Sequence, residues 1–190
     1  MADGGDGFAS VMQYYLQAET ISCKTFGPLG RPINGTYQWV EHTKTAIVEL
    51  AVASGIALLK KEELNPLITS TYGTGLIVQE AIKKGAKKII LGIGGSATND
   101  AGIGIVSTLG YDFLDATNQK ITPVGGNLKK IKKIIVPALF PAVGWQICCD
   151  VTNPLYGKNG AAFVYAPQKG ATNEMVNQLD DGLQNFAVVL

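Results

Sequence analysis

Two periods of apolar and polar residues run along this chain. Thr20 to Phe26 alternates with period two, and Ile33 to Trp39 and Thr45 to Leu50 read as further strands, with Pro28-Leu29-Gly30-Arg31-Pro32 as the turn between the first two. Gly7 to Gln17, opened by a capping Asp6, places Phe8, Val11, Met12, Tyr15 and Leu16 on one face and predicts a helix. Glu49 to Leu58 is Ala-rich and predicts a helical turn. Asn65-Pro66 breaks the chain, and Thr69 to Gly75 reads as a polar loop. Leu76 to Lys84 is an amphipathic helix stopped by Gly85. Ile89-Ile90-Leu91 is a strand core and Ala101 to Leu109 a helix. Tyr111 to Leu114, Trp145 to Cys149 and Phe163 to Tyr165 are short strands, Leu128 to Ile134 is a short helix, and Thr172 caps a last helix running to Ala187. The order predicts an α/β fold, a mixed β-sheet with flanking helices, in a single domain spanning residues 1–190.

The most informative stretch is Lys88 to Asp100, KIILGIGGSATND. A strand that ends in Gly92, Gly94 and Gly95 and leads into a helix is how a backbone wraps an anion: glycine permits close approach, and the helix N-terminus supplies unpaired N–H groups. Asn99 and Asp100 stand where that helix should begin. An acid beside a phosphate calls for a cation between them, which points to a magnesium-phosphate site. The rival reading is a Rossmann-like dinucleotide-binding module: Gly92-x-Gly94-x-x-Ala97 matches its glycine fingerprint, with Asp115 at the end of the next strand.

Composition narrows the classes. A formal charge of +1 gives no electrostatic case for nucleic acid. No apolar run approaches the ~20 residues of a membrane span, and no leader is recognisable. Three cysteines, two of them adjacent, make no disulfide framework and point to a reduced, cytoplasmic setting, each thiol serving as a small buried hydrophobe. A single histidine, the lack of G-x-S-x-G, and the lack of both the G-x-x-x-x-G-K-S/T loop and the protein-kinase motifs set aside several familiar hydrolase, NTPase and kinase classes. The ends, an acidic glycine loop with no strand before it and an apolar Phe186 to Leu190 with nothing to pack into, point to a piece of a longer protein.

Three loops carry acids beside glycine or proline: Asp3-Gly4-Gly5-Asp6-Gly7, Gly94 to Asp100, and Asp150-Val151-Thr152-Asn153-Pro154. Oxygen-only ligands of this kind suit magnesium. Lys169, between turn signals, is placed to neutralise phosphate, and Arg31 to hold a carboxylate through two hydrogen bonds. Phosphoryl transfer needs donors around phosphate, a magnesium ion and a carboxylate near the attacking hydroxyl, and these segments can supply each.

MADGGDGF, GPLGRP, NPLITSTYGTG, IILGIGGSATNDAGIG, FLDA, CDVTNPLYGKNGA and APQKGAT, in this order, together resemble the type I glycerate kinase family. The resemblance implies ATP-dependent phosphorylation of D-glycerate to 2-phosphoglycerate, with ATP and Mg2+ as cofactors, in the cytosol. It also implies a two-domain parent roughly twice this length, of which this chain would be the inserted domain, inactive by itself. The family's acidic glycine loop falls on Asp3 to Gly7, with Asp6 where Glu is more common. Its G-G-S-A-T-N-D falls on Gly94 to Asp100, with Ala101 in place of the usual following Gly. Its G-T-G-E falls on Gly73-Thr74-Gly75, assigned to the nucleotide, with Leu76 in place of Glu. C-D-V-x-N-P-L and P-Q-K-G-A fall intact on Cys149 to Leu155 and Pro167 to Ala171.

The expected roles follow. Asp100, Asp150 and Lys169 are catalytic, the two acids also binding the metal. Asp3, Gly94, Gly95, Ser96, Asn99, Asn153 and Arg31 bind substrate. Asp3, Asp100 and Asp150 are expected to converge on one cleft, and Asp100→Asn and Asp150→Asn to lower turnover far more than stability. Glycerate and ATP are the partners; a homodimer is compatible with the sequence, and so is a domain that binds substrate without catalysing.

Overall fold

The computed structural model describes residues 7–190. Its strands are β1 (Glu19–Phe26), β2 (Pro32–Val40), β3 (Thr45–Glu49), β4 (Lys88–Gly92), β5 (Asp112–Leu114), β6 (Lys133–Ile135) and β7 (Gly144–Cys148). One five-stranded sheet runs in the order β1-β2-β3-β4-β7, and β5 pairs separately with β6. β1, β2 and β3 are antiparallel neighbours, whereas β3, β4 and β7 run parallel. The sheet is therefore mixed, as the element order predicts.

The turn between β1 and β2 closes through Gly27 N–H donating to Arg31 O and Gly30 N–H to Gly27 O, with Gly30 at φ 76°. β3 is buried along its whole length, as a central strand covered on both faces must be. Alternation sorts its side chains. Ala46 and Val48 join Trp39, Ile77, Ile89 and Leu91 beneath helix α3 (Tyr72–Lys83), which follows the single-turn α2 (Ala51–Ser54). On the other face, Ile47 and Ile90 pack with Phe8 under α1 (Phe8–Leu16). A separate core gathers Ile103, Phe113, Leu128, Leu179 and Leu183 among the short α4 (Ile103–Thr108), α5 (Ala161–Tyr165) and the long α6 (Asn173–Val189).

Several local expectations change. Phe163 to Tyr165 is not a strand but the end of α5; three apolar residues carry no usable period, and the extended Gly160 starts a helix there. Leu128 to Ile134 divides into a 3-10 turn, Gly125–Lys130, and β6. In α1, Phe8 is buried and Met12 packs beside it, while Tyr15 is exposed, so the apolar stripe meets the sheet only over its first half. The capping Asp6 lies outside the described residues; the first N–H groups of this helix, those of Gly7 and Ala9, donate to the carboxylate of Glu49 at 3.1 and 3.0 Å. At the other end, Phe186 does find a packing partner: it is buried, its ring 6.1 Å from that of Phe113.

Candidate functional site

Parallel strands end together here. Glu49, Gly92 and Cys148 are in register across β3, β4 and β7, so the segments that follow leave the sheet at one edge. Crevices at the carboxyl ends of parallel strands are where open α/β sheets bind ligands. A cavity of about 530 Å³ lies at this edge, lined by Gly94, Gly95 and Ser96 after β4, by Cys149, Asp150 and Val151 after β7, and by Tyr165, Gln168 and Lys169 from α5 and the turn beyond it. Three segments far apart in sequence thus meet around one hollow.

The glycine turn is pinned on both sides of Ser96: Ile56 N–H donates to Gly95 O at 2.9 Å and Ala97 N–H to Ser54 O at 2.8 Å. Gly95 sits at φ 69°, a left-handed conformation that favours glycine. No described residue accepts a hydrogen bond from the N–H groups of Gly94, Gly95 or Ser96. Successive unpaired backbone donors in a rigid turn make a concavity for an anion.

Lys169 closes the same corner. It ends a 3-10 turn, Pro167–Lys169, and Gly170 follows at φ 90°, packed so closely that a Cβ there would stand 2.4 Å from Leu64 O. The lysine side chain is 7% exposed, and its Nζ donates to Ser96 Oγ at 2.7 Å and to Thr98 O at 2.5 Å. Burial pushes its pKa down to about 8, although the negative charge of Asp100 opposes the shift.

Asp100 does not line the cavity. It is 1% exposed, and its carboxylate accepts from Thr71 N–H and Thr71 Oγ1, both at 2.8 Å, and from Gly102 N–H at 3.1 Å. Burial raises its pKa. These bonds tie the segment before α4 to the start of α3. The anion-binding helix start expected after Gly95 is absent as well: α4 begins only at Ile103, and Ile103 N–H and Ile105 N–H already donate to Asp100 O and Thr71 Oγ1.

Other expected site residues lie elsewhere. Gly73, Thr74 and Gly75 are not a loop but the buried first turn of α3. A Cβ on Gly73 would lie 1.9 Å from Phe26 O, and one on Gly75 2.8 Å from Ile105 O, so both glycines let helix and neighbour approach; Thr74 Oγ1 bonds Ser54 Oγ. Arg31 pairs with Glu63 at 2.6 Å on the surface. Asn153 is occupied locally, its Nδ2 donating to Asn159 O and its Oδ1 accepting from the Tyr165 hydroxyl. Asn99 is buried, with an Nδ2 that finds no partner among the described residues. Asp3 lies outside the described residues. Of the three acids expected to converge, Asp150 alone is placed on the cavity.

Among the described residues no group of three His, Cys, Asp or Glu side chains could hold a metal ion. Magnesium bound to phosphate needs only one or two carboxylates, because waters and phosphate oxygens complete its shell. Asp150 fits that role, and Asp100, whose oxygens are already engaged, does not. The sequence reading missed Tyr165, hidden in a run read as a strand, and Cys149, which is exposed at the cavity rather than buried. The dinucleotide reading gains no geometry. Asp115 closes its own turn, its Oδ1 accepting from the N–H groups of Thr117 and Gln119. No described helix is long and apolar enough to cross a membrane.

The sequence profile of the Glycerate kinase family matches residues 1–190. The chain is 44% identical over 193 residues to a glycerate kinase of Halalkalibacterium halodurans and 40% identical to glycerate 2-kinase of Escherichia coli, covering 100% of this chain and 51% of each relative. A crystal structure described as a glycerate kinase 2 from Salmonella typhimurium LT2 superposes with a TM-score of 0.93 at 38% identity, over 98% of this chain and 51% of that one. The chain thus spans about half the length of the relatives it matches, and it belongs to the glycerate kinase family.

Proposed function

We propose that this chain carries the phosphoryl-transfer site of a kinase that phosphorylates D-glycerate at its 2-hydroxyl, using ATP and magnesium. The observation that carries the reading is the meeting of Gly94 to Ser96, Asp150 and Lys169 on one cavity at the carboxyl ends of parallel strands. The N–H groups of the glycine turn, unpaired among the described residues, hold anionic oxygens, of phosphate or of the glycerate carboxylate. Lys169 is held against Ser96, so its positive charge already stands where negative charge builds up in transfer, without rearrangement. Asp150 orients the attacking hydroxyl or holds the magnesium ion, which when bound neutralises phosphate charge. The name of the Escherichia coli relative, glycerate 2-kinase, supports the 2-hydroxyl over the 3-hydroxyl.

The half-length match supports a further part of the reading: a two-domain kinase of about twice this length, with this chain as its inserted α/β domain. The isolated chain then binds ligands and turns over little or nothing. The full-length protein bearing this sequence, incubated with D-glycerate and ATP-magnesium, should yield 2-phosphoglycerate by phosphorus NMR. ADP without any phosphoglycerate, or 3-phosphoglycerate alone, would overturn the reading.

A further inference from the structure

The cavity is larger than glycerate needs. Glycerate has roughly seven heavy atoms; at the ~30 Å³ that one water takes in the liquid, these fill no more than about 200 Å³. The cavity holds about 530 Å³. Its anion-holding groups gather where Lys169 meets Ser96, flanked by Ile56, whose N–H donates to Gly95 O, and by Ile93, and Val151 and Ala161 add further apolar lining. Tyr165 lines the same cavity. Its hydroxyl donates to Asn153 Oδ1, and Asn153 in turn donates to Asn159 O, so the ring is held by two linked hydrogen bonds rather than left to rotate. Gln168, at the same cavity, carries an amide with one donor and one acceptor side, the pair that matches an adenine edge.

We propose that this apolar part of the cavity receives the nucleoside of the phosphoryl donor, with the base against the Tyr165 ring and the phosphates directed to the Gly94–Ser96 turn and Lys169. The proposal rests on the phosphoryl-transfer reading and adds that the nucleotide is held by this chain, away from Gly73 to Gly75. A flat, poorly hydrated base is the part of ATP that such a surface accepts, since stacking on an aromatic ring needs no polar partner. Asn153 becomes a positioning residue acting through Tyr165.

Cys149 gives a built-in reporter: its thiol is exposed on the cavity, while Cys23 is half-buried in the sheet core and serves as reference. Iodoacetamide labelling of the 190-residue chain, followed by peptide mass spectrometry, should be slowed at Cys149 at least about fivefold by saturating adenosine, which carries no phosphate, with Cys23 unaffected. Tyr165→Leu should weaken ADP about tenfold or more and leave pyrophosphate within about twofold, while Tyr165→Phe keeps ADP within about threefold. Adenosine that fails to protect Cys149, or a Tyr165→Leu chain that loses ADP and pyrophosphate equally or loses neither, would overturn the proposal. If glycerate phosphorylation by the full-length protein stands while adenosine gives no protection, the nucleoside assignment alone falls; protection without phosphorylation leaves it standing and removes the kinase reading.

Discussion

Two buried charges decide how individual residues behave. Asp100 receives three hydrogen bonds in a nearly dry setting, so Asp100→Asn sets an amide N–H against a backbone donor or leaves one unmet. Its cost belongs to stability, about 2–4 kcal/mol by denaturant unfolding, reversing the order expected from sequence. Asp150 is exposed on the cavity, so Asp150→Asn should change stability by less than about 0.5 kcal/mol yet lower kcat of the full-length enzyme about a hundredfold. Lys169 gives a signed pH test. Its pKa falls from the ordinary lysine value of 10.5 to about 8 in the fold. Between those values the unfolded chain still binds the proton that the folded chain has released, so stability rises with pH, by on the order of 3 kcal/mol in full. Urea unfolding at pH 7.5 and 10 should show this rise in the parent and not in Lys169→Met; parallel curves would contradict it. Ala101 offers a gain. It sits at φ 51°, a left-handed conformation that costs a residue with a Cβ, and Ala101→Gly should stabilise by about 0.5–1 kcal/mol.

At the scale of elements, the contest between helix propensity and close packing is decided at α3. Gly→Ala inside a helix ordinarily gains up to about 1 kcal/mol. At Gly73 the new methyl would stand 1.9 Å from Phe26 O, a backbone atom that cannot step aside alone. Gly73→Ala should therefore lower the melting temperature, with a loss of about 2 kcal/mol or more; a neutral result would show that α3 can slide off β1. The same helix shows where sequence reading stops. Gly73-Thr74-Gly75 looks like a ligand loop because two glycines and a threonine resist helix formation locally; tertiary contact with β1 and α4 overrides that preference. The final helix was legible because Thr172 Oγ1 caps Met175 N–H in the ordinary way. β1 was legible from alternation, its junction with β2 from the turn at Pro28 to Pro32, and β4 from the short apolar run that ends at Gly92. The extent of α5 was not, since a helix of five residues leaves no period to read.

For the whole molecule, the segments that carry the family resemblance divide into two kinds. Gly94 to Ser96, Asp150 and Lys169 meet at the carboxyl edge of β4 and β7, while Asp100 and Gly73 to Gly75 hold the framework behind it. Apart from Lys169, both kinds are small or acidic residues, so nothing in the one-dimensional pattern separates a residue that touches ligand from one that supports the loop that does. Burial and hydrogen-bond partners separate them, and those exist only once β3, β4 and β7 align. The most direct measurement of this division is an amide NMR titration of the 190-residue chain with ADP. The N–H signals of Gly94, Gly95 and Ser96 should shift strongly and saturate together, while those of Tyr72 to Leu76 stay in place. Movement at Tyr72 to Leu76 with Gly94 to Ser96 unchanged would contradict the account.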